Sequence, residues 1–158
     1  MKRYPYFKKE FLADGGAVPP LAVTVERVSR FDEVDMLGMV WHGRYASFFE
    51  DARVALGERF GMGYEALYGQ GLITPIKQMH IDYRAPLVFN QRCRVTAELH
   101  WTEAARINIA YSIRDLENAV LTTGYTVQLF LTMSKEVCMA KPDCYAAFCE
   151  RWKNGSLT

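Results

Sequence analysis

An acid and an imidazole precede the start of a predicted helix. Asp35 and His42 lie in the segment that joins a predicted strand to a helix beginning at Tyr45. Free backbone N–H groups in a first helical turn, together with the positive end of the helix dipole, stabilise an oxyanion. Gly43, Arg44 and Tyr45 are the expected donors. Asp35 is then placed to attack a carbonyl as a nucleophile or to activate water as a general base.

Each of these residues also has a purely structural interpretation. Asp35 is of a type common in turns, and His42 is placed to lie beside the helix cap. Tyr45 belongs first to the apolar face of the helix. Glu50 and Arg53 are three residues apart and are expected to form a surface pair worth only about a few tenths of a kcal/mol.

The helix that positions this segment is predicted over residues 45–60. Apolar side chains recur there at intervals of three and four residues, and they are Tyr45, Phe48, Phe49, Ala52, Ala55, Leu56 and Phe60. Gly61 and Gly63 end the helix, and a short helical turn is expected over residues 64–68. A second long helix is predicted only near the end of the chain, over residues 142–152.

Strands dominate the rest of the chain. Alternation of apolar and polar residues predicts strands over residues 21–28, 72–83, 92–101, 106–115 and 120–133. An apolar helix needs a sheet to lie against, so we expect an α+β fold with a five-stranded antiparallel sheet wrapped around one long helix. We divide the chain into an N-terminal arm (1–20), a main domain (21–135) and a helical C-terminal tail (136–158).

Composition narrows the classes of function. A formal net charge of +1 gives no broad basic field for nucleic acid. The apolar runs are too short for a membrane span or a signal-peptide core, so we expect a cytoplasmic protein. The four cysteines form no C-x-x-C pair and no zinc-ligand spacing, which predicts free thiols, with Cys93 and Cys149 directed inward, and no metal site.

The segment before the helix also matches a known motif. Its residues Asp35, Gly38, Val40, His42 and Tyr45 resemble the D-x-x-G-x-V-x-H-x-x-Y signature of the 4-hydroxybenzoyl-CoA thioesterase-like family, which includes acyl-CoA thioesterases associated with the Tol–Pal system. The continuation Phe49-Glu50-x-x-Arg53 and residues 81–86 and 123–127 are similar to further patterns of that family. The resemblance extends from about residue 21 to residue 134.

The resemblance implies a hotdog fold and a dimer whose two sheets join edge to edge, with two such dimers often assembled into a tetramer. It also implies an active site at the subunit interface. It implies hydrolysis of an acyl thioester of coenzyme A or of acyl carrier protein, without metal or cofactor. Matched by position, Asp35 would be the catalytic carboxylate. His42 would orient the thioester or assist the leaving thiolate, and Tyr45 would shape the pocket.

Several further residues are candidates for substrate binding. Gly43 and Arg44 lie at the helix start, and Trp41 belongs to an apolar stretch suited to an acyl group. Arg106 and Lys135, with Lys141, flank strand ends where a coenzyme A phosphate would rest, although scattered surface cations are the default interpretation. His80 and His100 alternate with apolar residues, so we expect solvated or interface positions and assign them no role.

Two functions compete with hydrolysis. A hotdog scaffold also serves as a non-catalytic binder of acyl thioesters, because a fold does not fix a function. A hotdog dehydratase is the weaker alternative, since those enzymes use a histidine and an acid in a different arrangement. Asp35 favours the hydrolase, whereas tight binding of acyl-CoA without turnover would favour the binder.

Overall fold

The computed structural model describes residues 18–157. Its strands are β1 (Leu21–Val28), β2 (Leu72–Ile73), β3 (Ile76–Tyr83), β4 (Arg92–His100), β5 (Arg106–Arg114), β6 (Val120–Leu129) and β7 (Leu131–Thr132). Its α-helices are α1 (Tyr45–Phe60), α2 (Tyr64–Gly69) and α3 (Asp143–Lys153). Five strands form an antiparallel sheet in the order β1-β4-β5-β6-β3, while β2 and β7 pair separately. The predicted fold class is confirmed.

The predicted alternation places one face of the sheet inward. In β4, Cys93, Val95, Ala97 and Leu99 are buried, and the residues between them are partly exposed. The register pairs Val95 with Ile113 of β5, so buried residues of neighbouring strands lie side by side. This apolar face forms most of the core.

Helix α1 lies against that face. The Phe49 ring stacks on the Tyr111 ring with centroids 4.5 Å apart. Gly124 of β6 lies beneath the same phenylalanine, and a Cβ atom there would lie 2.6 Å from its ring. The missing side chain therefore lets the helix approach the sheet closely, which is the arrangement predicted for a sheet wrapped around its helix.

Two predicted strands are each interrupted. The strand expected over residues 72–83 breaks at Thr74 and Pro75, because proline has no N–H to contribute to a strand ladder. The strand expected over residues 120–133 breaks at Phe130, which is fully buried. The short strand before the first break is β2 and the short strand after the second break is β7, and these two strands pair with each other.

Helix α3 closes one end of the core. The Trp101 and Trp152 rings meet edge to face at 5.2 Å, and Phe130 contacts Tyr145 at 4.6 Å. The Trp152 indole N–H also donates a hydrogen bond to the carbonyl of Pro19 at 2.8 Å. The last residues of the predicted N-terminal arm thus pack against α3, and residues 1–17 of that arm lie outside the described residues.

The prediction of side-chain exposure for Arg53 is wrong, and that for His100 is narrowed to one of its two alternatives. The His100 side chain is only 15% exposed, with its Nε2 atom 3.9 Å from a carboxylate oxygen of Glu98, so it is not freely solvated and the interface position stays a prediction. Arg53 is 9% exposed rather than a surface residue, because its guanidinium lies over the Tyr64 ring at 4.1 Å. The His80 side chain is half exposed, which agrees with the prediction of a solvated or interface position.

The two edge strands of the sheet differ in exposure. In β1, exposed residues alternate with partly buried ones, whereas β3 is exposed over most of both faces. Met79 and Tyr83 are exposed apolar residues of β3. Within residues 18–157 no helix is long and apolar enough to cross a membrane.

Candidate active site

Asp35 begins a tight loop before α1. Its backbone N–H donates to the carbonyl of Met39 at 2.8 Å, and the N–H of Gly38 donates to the carbonyl of Asp35 at 3.0 Å. A bridge between Val34 and Val40 closes the loop. Gly38 has a φ of 74°, a left-handed conformation that glycine adopts without strain. The glycine of the sequence motif is therefore needed to turn the chain beside Asp35.

The loop holds one oxygen of the Asp35 carboxylate. Oδ1 accepts hydrogen bonds from the N–H of Leu37 at 2.8 Å and from the N–H of Met39 at 3.4 Å. Among residues 18–157, no hydrogen bond reaches the other oxygen, Oδ2. Asp35 is only partly buried. The side chain is thus oriented through one oxygen while the second stays available for chemistry.

A buried ion pair anchors the base of the loop. Glu33 is 5% exposed and pairs with Arg27 of β1. Arg27 also pairs with Asp51 of α1 at 2.9 Å and lies over the Phe48 ring at 3.7 Å. The second Glu33 oxygen accepts the N–H of Arg30 at 2.8 Å. The pair therefore joins β1, the loop and α1 at the point where the loop begins.

The helix start offers fewer free amides than we expected. A turn of 3-10 helix (His42–Arg44) leads into α1. Its Arg44 N–H already donates to the carbonyl of Trp41 at 2.8 Å, so Arg44 is wrong as an oxyanion donor in this conformation. The N–H of Gly43 has no hydrogen-bond partner among residues 18–157. Gly43 is consequently better placed as a donor than Arg44.

Trp41 packs directly over Gly43. A Cβ atom at position 43 would lie 2.3 Å from the Trp41 ring, so a side chain there would displace the indole. The indole is about half exposed, and its centroid lies 4.9 Å from that of the His42 ring. Trp41, His42 and Gly43 therefore form one continuous surface at the helix start.

Two tyrosines support this surface from below. The Tyr83 hydroxyl donates a hydrogen bond to the carbonyl of His42 at 2.9 Å, and its ring meets the Tyr45 ring edge-on at 5.0 Å. Burial raises the pKa of Tyr45, with further increases from Tyr83, Cys93 and Asp35, while the backbone of Leu87 lowers it. Tyr45 therefore keeps its phenolic proton at neutral pH.

Sequence reasoning missed Tyr83 as a support. The residue lies within the stretch 81–86 that resembles the family, but nothing in its type identifies its contacts. Alternation in β3 was the available signal, because it places Ile81 and Tyr83 on one face, and Ile81 packs against the core.

Arg106 and Lys135 lie at the end of the sheet opposite to the start of α1. Arg106 begins β5 opposite Leu129, whereas α1 starts near the far end of that strand. Lys135 is exposed in the turn that follows β7. A single subunit therefore does not bring either cation to Asp35. No cluster of three or more potential metal ligands occurs within the described part of the chain.

The fold and this site together define a class, the hotdog thioesterase-like proteins. A family model described as the thioesterase-like superfamily matches residues 29–148. The chain belongs to that superfamily.

Individual relatives agree with the assignment. YneP of Bacillus subtilis, named provisionally as an acyl-CoA thioesterase, is 32% identical over 75 residues, which cover 47% of this chain and 51% of YneP. The chain thus spans about half the length of that relative. The acyl-CoA thioester hydrolase YbgC of Escherichia coli is 22% identical over 91 residues, covering 58% of this chain and 68% of YbgC.

A solved structure shows the same fold. The DHNA-CoA thioesterase from Staphylococcus aureus superposes with a TM-score of 0.74 at 22% sequence identity. The superposition covers 85% of this chain and 90% of that chain. The predicted hotdog architecture is confirmed.

Proposed function

We propose that this protein hydrolyses acyl thioesters of coenzyme A and that Asp35 is its catalytic carboxylate. The main supporting observation is the Asp35 loop, which fixes one carboxylate oxygen through the amides of Leu37 and Met39 just before α1. Membership of the thioesterase-like superfamily and the names of YneP and YbgC support the same reaction. Acyl carrier protein is a second possible carrier of the thioester.

The reaction proceeds through a tetrahedral oxyanion. As a nucleophile, Asp35 forms a bond to the thioester carbonyl carbon; the C–S bond then breaks, the thiolate leaves, and water hydrolyses the acyl anhydride. As a base, Asp35 instead takes a proton from water, whose oxygen attacks the same carbon. In either case the Gly43 N–H and the α1 dipole stabilise the oxyanion.

His42 and Tyr45 have supporting roles in this proposal. The exposed His42 ring beside Trp41 orients the thioester or assists the departing thiolate. Tyr45 holds the Tyr83 ring that fixes the backbone of His42. Trp41 and Arg44 are exposed at the helix start, where they line the approach of the substrate.

We also propose that the protein is a homodimer, or a tetramer made of two such dimers, in the cytoplasm. The exposed edge of β3, which carries the apolar residues Ile76, Met79 and Tyr83, supports the dimer, because pairing with a second copy would satisfy its free backbone groups. All four cysteines are free thiols, which supports a reducing compartment. Arg106 and Lys135 contact substrate in this proposal only if a second subunit brings them to the site.

The activity is tested by incubating purified protein with a panel of acyl-CoAs and acyl carrier protein thioesters while free thiol is measured. We expect thiol release above the uncatalysed rate for at least one acyl-CoA. Absence of release across the panel would refute the hydrolase. Tight acyl-CoA binding together with that absence would establish the non-catalytic binder instead.

A further inference from the structure

The outer face of the sheet carries a small buried strip. Helix α1 packs against the inner face, where the Phe49 ring contacts Tyr111 of β5 and approaches Gly124 of β6. Side chains alternate along a strand, so every second residue of these strands points to the outer face instead. Four of the outward residues are nevertheless buried, and they lie side by side on β5 and β6. We call them the outer strip: Asn108, Ala110, Tyr125 and Val127.

The outer strip is more deeply buried than an open sheet face allows. Val127 and Asn108 are 0% exposed. The described helices lie elsewhere, since α1 and α3 pack on the inner face and α2 packs against β2 and the Arg53 side chain of α1. Neighbouring strands contact only the flanks of an outward side chain. The burial of the strip therefore requires a covering group that is not one of these helices.

Asn108 identifies the chemistry of the covering group. Its side-chain oxygen and nitrogen are buried and have no hydrogen-bond partner among residues 18–157. A buried amide without partners is strongly disfavoured. A stretch of polypeptide backbone offers both N–H groups and carbonyl groups to such an amide, whereas a hydrocarbon surface offers neither. The covering group is therefore expected to be polypeptide.

The buried area is only one segment wide. It extends over two outward residues on each of two adjacent strands, which is about 7 Å along the strands and about 5 Å across them. Beyond it, Ser112 and Thr123 of the same face are partly exposed, and Thr24 and Glu26 of β1 are exposed. A second sheet packed face to face would bury β1 as well. A single peptide segment fits the strip better than the sheet of a second copy.

The strip lies at the end of the sheet where the chain enters β1. The register pairs Leu21 of β1 with Leu99 of β4. The next residue of β4, His100, pairs with Asn108, and Asn108 pairs with Val127. The residue before Leu21 is thus about three strand spacings, or about 14 Å, from Val127.

The seventeen residues before Val18 are long enough to reach the strip. Their point of departure is fixed, because the Trp152 indole N–H donates to the carbonyl of Pro19 at 2.8 Å. An extended chain spans about 3.3 Å per residue, so about six residues bridge the distance to Val127. Phe11 and Leu12 are the first large apolar residues met in that direction from Val18.

Tethering favours this segment over a second molecule. A segment joined by a short linker has an effective concentration in the mM range at a nearby site. Gly15 and Gly16 lie between the apolar pair and Val18, and glycine permits the sharp turn that leads round the end of the sheet.

We propose that residues 1–17 dock on the outer strip of their own chain, with Phe11 against Val127 and backbone groups bonded to the Asn108 amide. The inference does not rest on the proposed thioesterase activity. It assigns a binding surface to the N-terminal arm, and it closes this face of the sheet to contacts between dimers.

Hydrogen exchange of the full-length protein tests the docking. We expect backbone amides of peptides that contain Phe11 to exchange at least about tenfold more slowly than in the unfolded chain. Ala110→Glu should remove this protection, because it places a charge in the strip. Ser112→Glu is the matched control, since Ser112 lies two residues further along the same face of β5 and outside the strip. Exchange at the unfolded rate in the wild type would overturn the inference, and so would equal loss in the two variants.

Photochemical cross-linking identifies the occupant and does not depend on the folding of Ala110→Glu. Phe11→benzoylphenylalanine should cross-link to residues 108–110 or 125–127. In verified mixed dimers of ¹⁵N-labelled and unlabelled subunits, we expect only cross-links between peptides that carry the same label. Cross-links between differently labelled peptides would assign the strip to a second copy. Those cross-links, or cross-links to any other element alone, would overturn docking on the same chain.

Discussion

At the scale of single residues, Cys93 has a pKa that reflects its burial near the base of the Asp35 loop. It is fully buried near the pair of Arg27 and Glu33. Burial raises the pKa of its thiol from about 9 to about 11, with a smaller increase from Glu33, while Arg27 lowers it. The neutral thiol is therefore favoured in the folded protein.

This pKa predicts a loss of stability in base. Below pH 9 the Cys93 thiol is protonated in both the folded and the unfolded protein, so the stability that comes from its raised pKa is fully present. Between pH 9 and 11 the unfolded chain loses this proton more readily than the folded protein does, so the unfolding free energy falls. The raised pKa of Cys93 contributes about 3 kcal/mol to the unfolding free energy below pH 9. We expect Cys93→Ala to show a shallower fall of unfolding free energy over this range by chemical denaturation. Equal slopes in both proteins would contradict the raised pKa.

Some residues of the candidate site were predictable from their types and order. Asp35 and Gly38 stand in a motif, and the structure shows why that glycine is there. Gly43 stays a predicted donor, but the engagement of the Arg44 N–H by the Trp41 carbonyl was not predictable, because it depends on a 3-10 turn that side-chain periodicity does not encode. The support by Tyr83 depends on a contact between distant segments.

At the scale of elements, Glu33 joins β1, the loop and α1. Glu33→Gln removes one of the two carboxylate partners of the partly buried Arg27, which keeps Asp51, so we expect a loss of about 2 kcal/mol in unfolding free energy. Loosening of the Asp35 loop should also lower kcat. Both effects are measured by denaturant unfolding and by the acyl-CoA assay on the same preparation.

Glu26→Gln is the control for this prediction. Glu26 forms an exposed pair with Arg92 at 3.7 Å, and such pairs contribute less than about 1 kcal/mol. Equal losses in the two variants would show that Glu33 does not anchor the loop.

Periodicity predicted where elements lie better than where they stop. The alternation in β4 and β5 and the period of α1 follow directly from side-chain burial, and these elements were predicted closely. The breaks at Pro75 and Phe130 separate β2 and β7 from the main sheet, and the pairing of these two short strands is a tertiary contact that alternation does not encode. Burial of Arg53 likewise depends on α2 bringing Tyr64 over it, a tertiary contact.

At the scale of the whole molecule, β3 is the expected dimer edge. Met79 lies near its middle and is exposed. Met79→Lys would place like charges close together across the two-fold axis, and an edge lysine opposes pairing of strands. We expect the variant to sediment as a monomer and to lose activity in step with dissociation.

Ala22→Lys on the other edge strand, β1, is the matched control. Ala22 is exposed, so its replacement should change neither the assembly nor the activity. A dimer that persists in Met79→Lys but dissociates in Ala22→Lys would place the interface at β1. A fully active monomer would refute the shared site.

The most direct test of the account is the activity of Asp35→Asn, compared with Asp32→Asn at an exposed neighbouring position. The asparagine keeps the shape of the side chain but neither attacks a carbonyl nor accepts a proton from water. We predict that kcat for acyl-CoA hydrolysis falls about 10²–10⁴-fold in Asp35→Asn. Its binding of a non-hydrolysable S-alkyl-CoA thioether and its unfolding free energy should stay near wild-type values, and Asp32→Asn should remain active. A near-normal kcat in folded Asp35→Asn would contradict catalysis by this carboxylate.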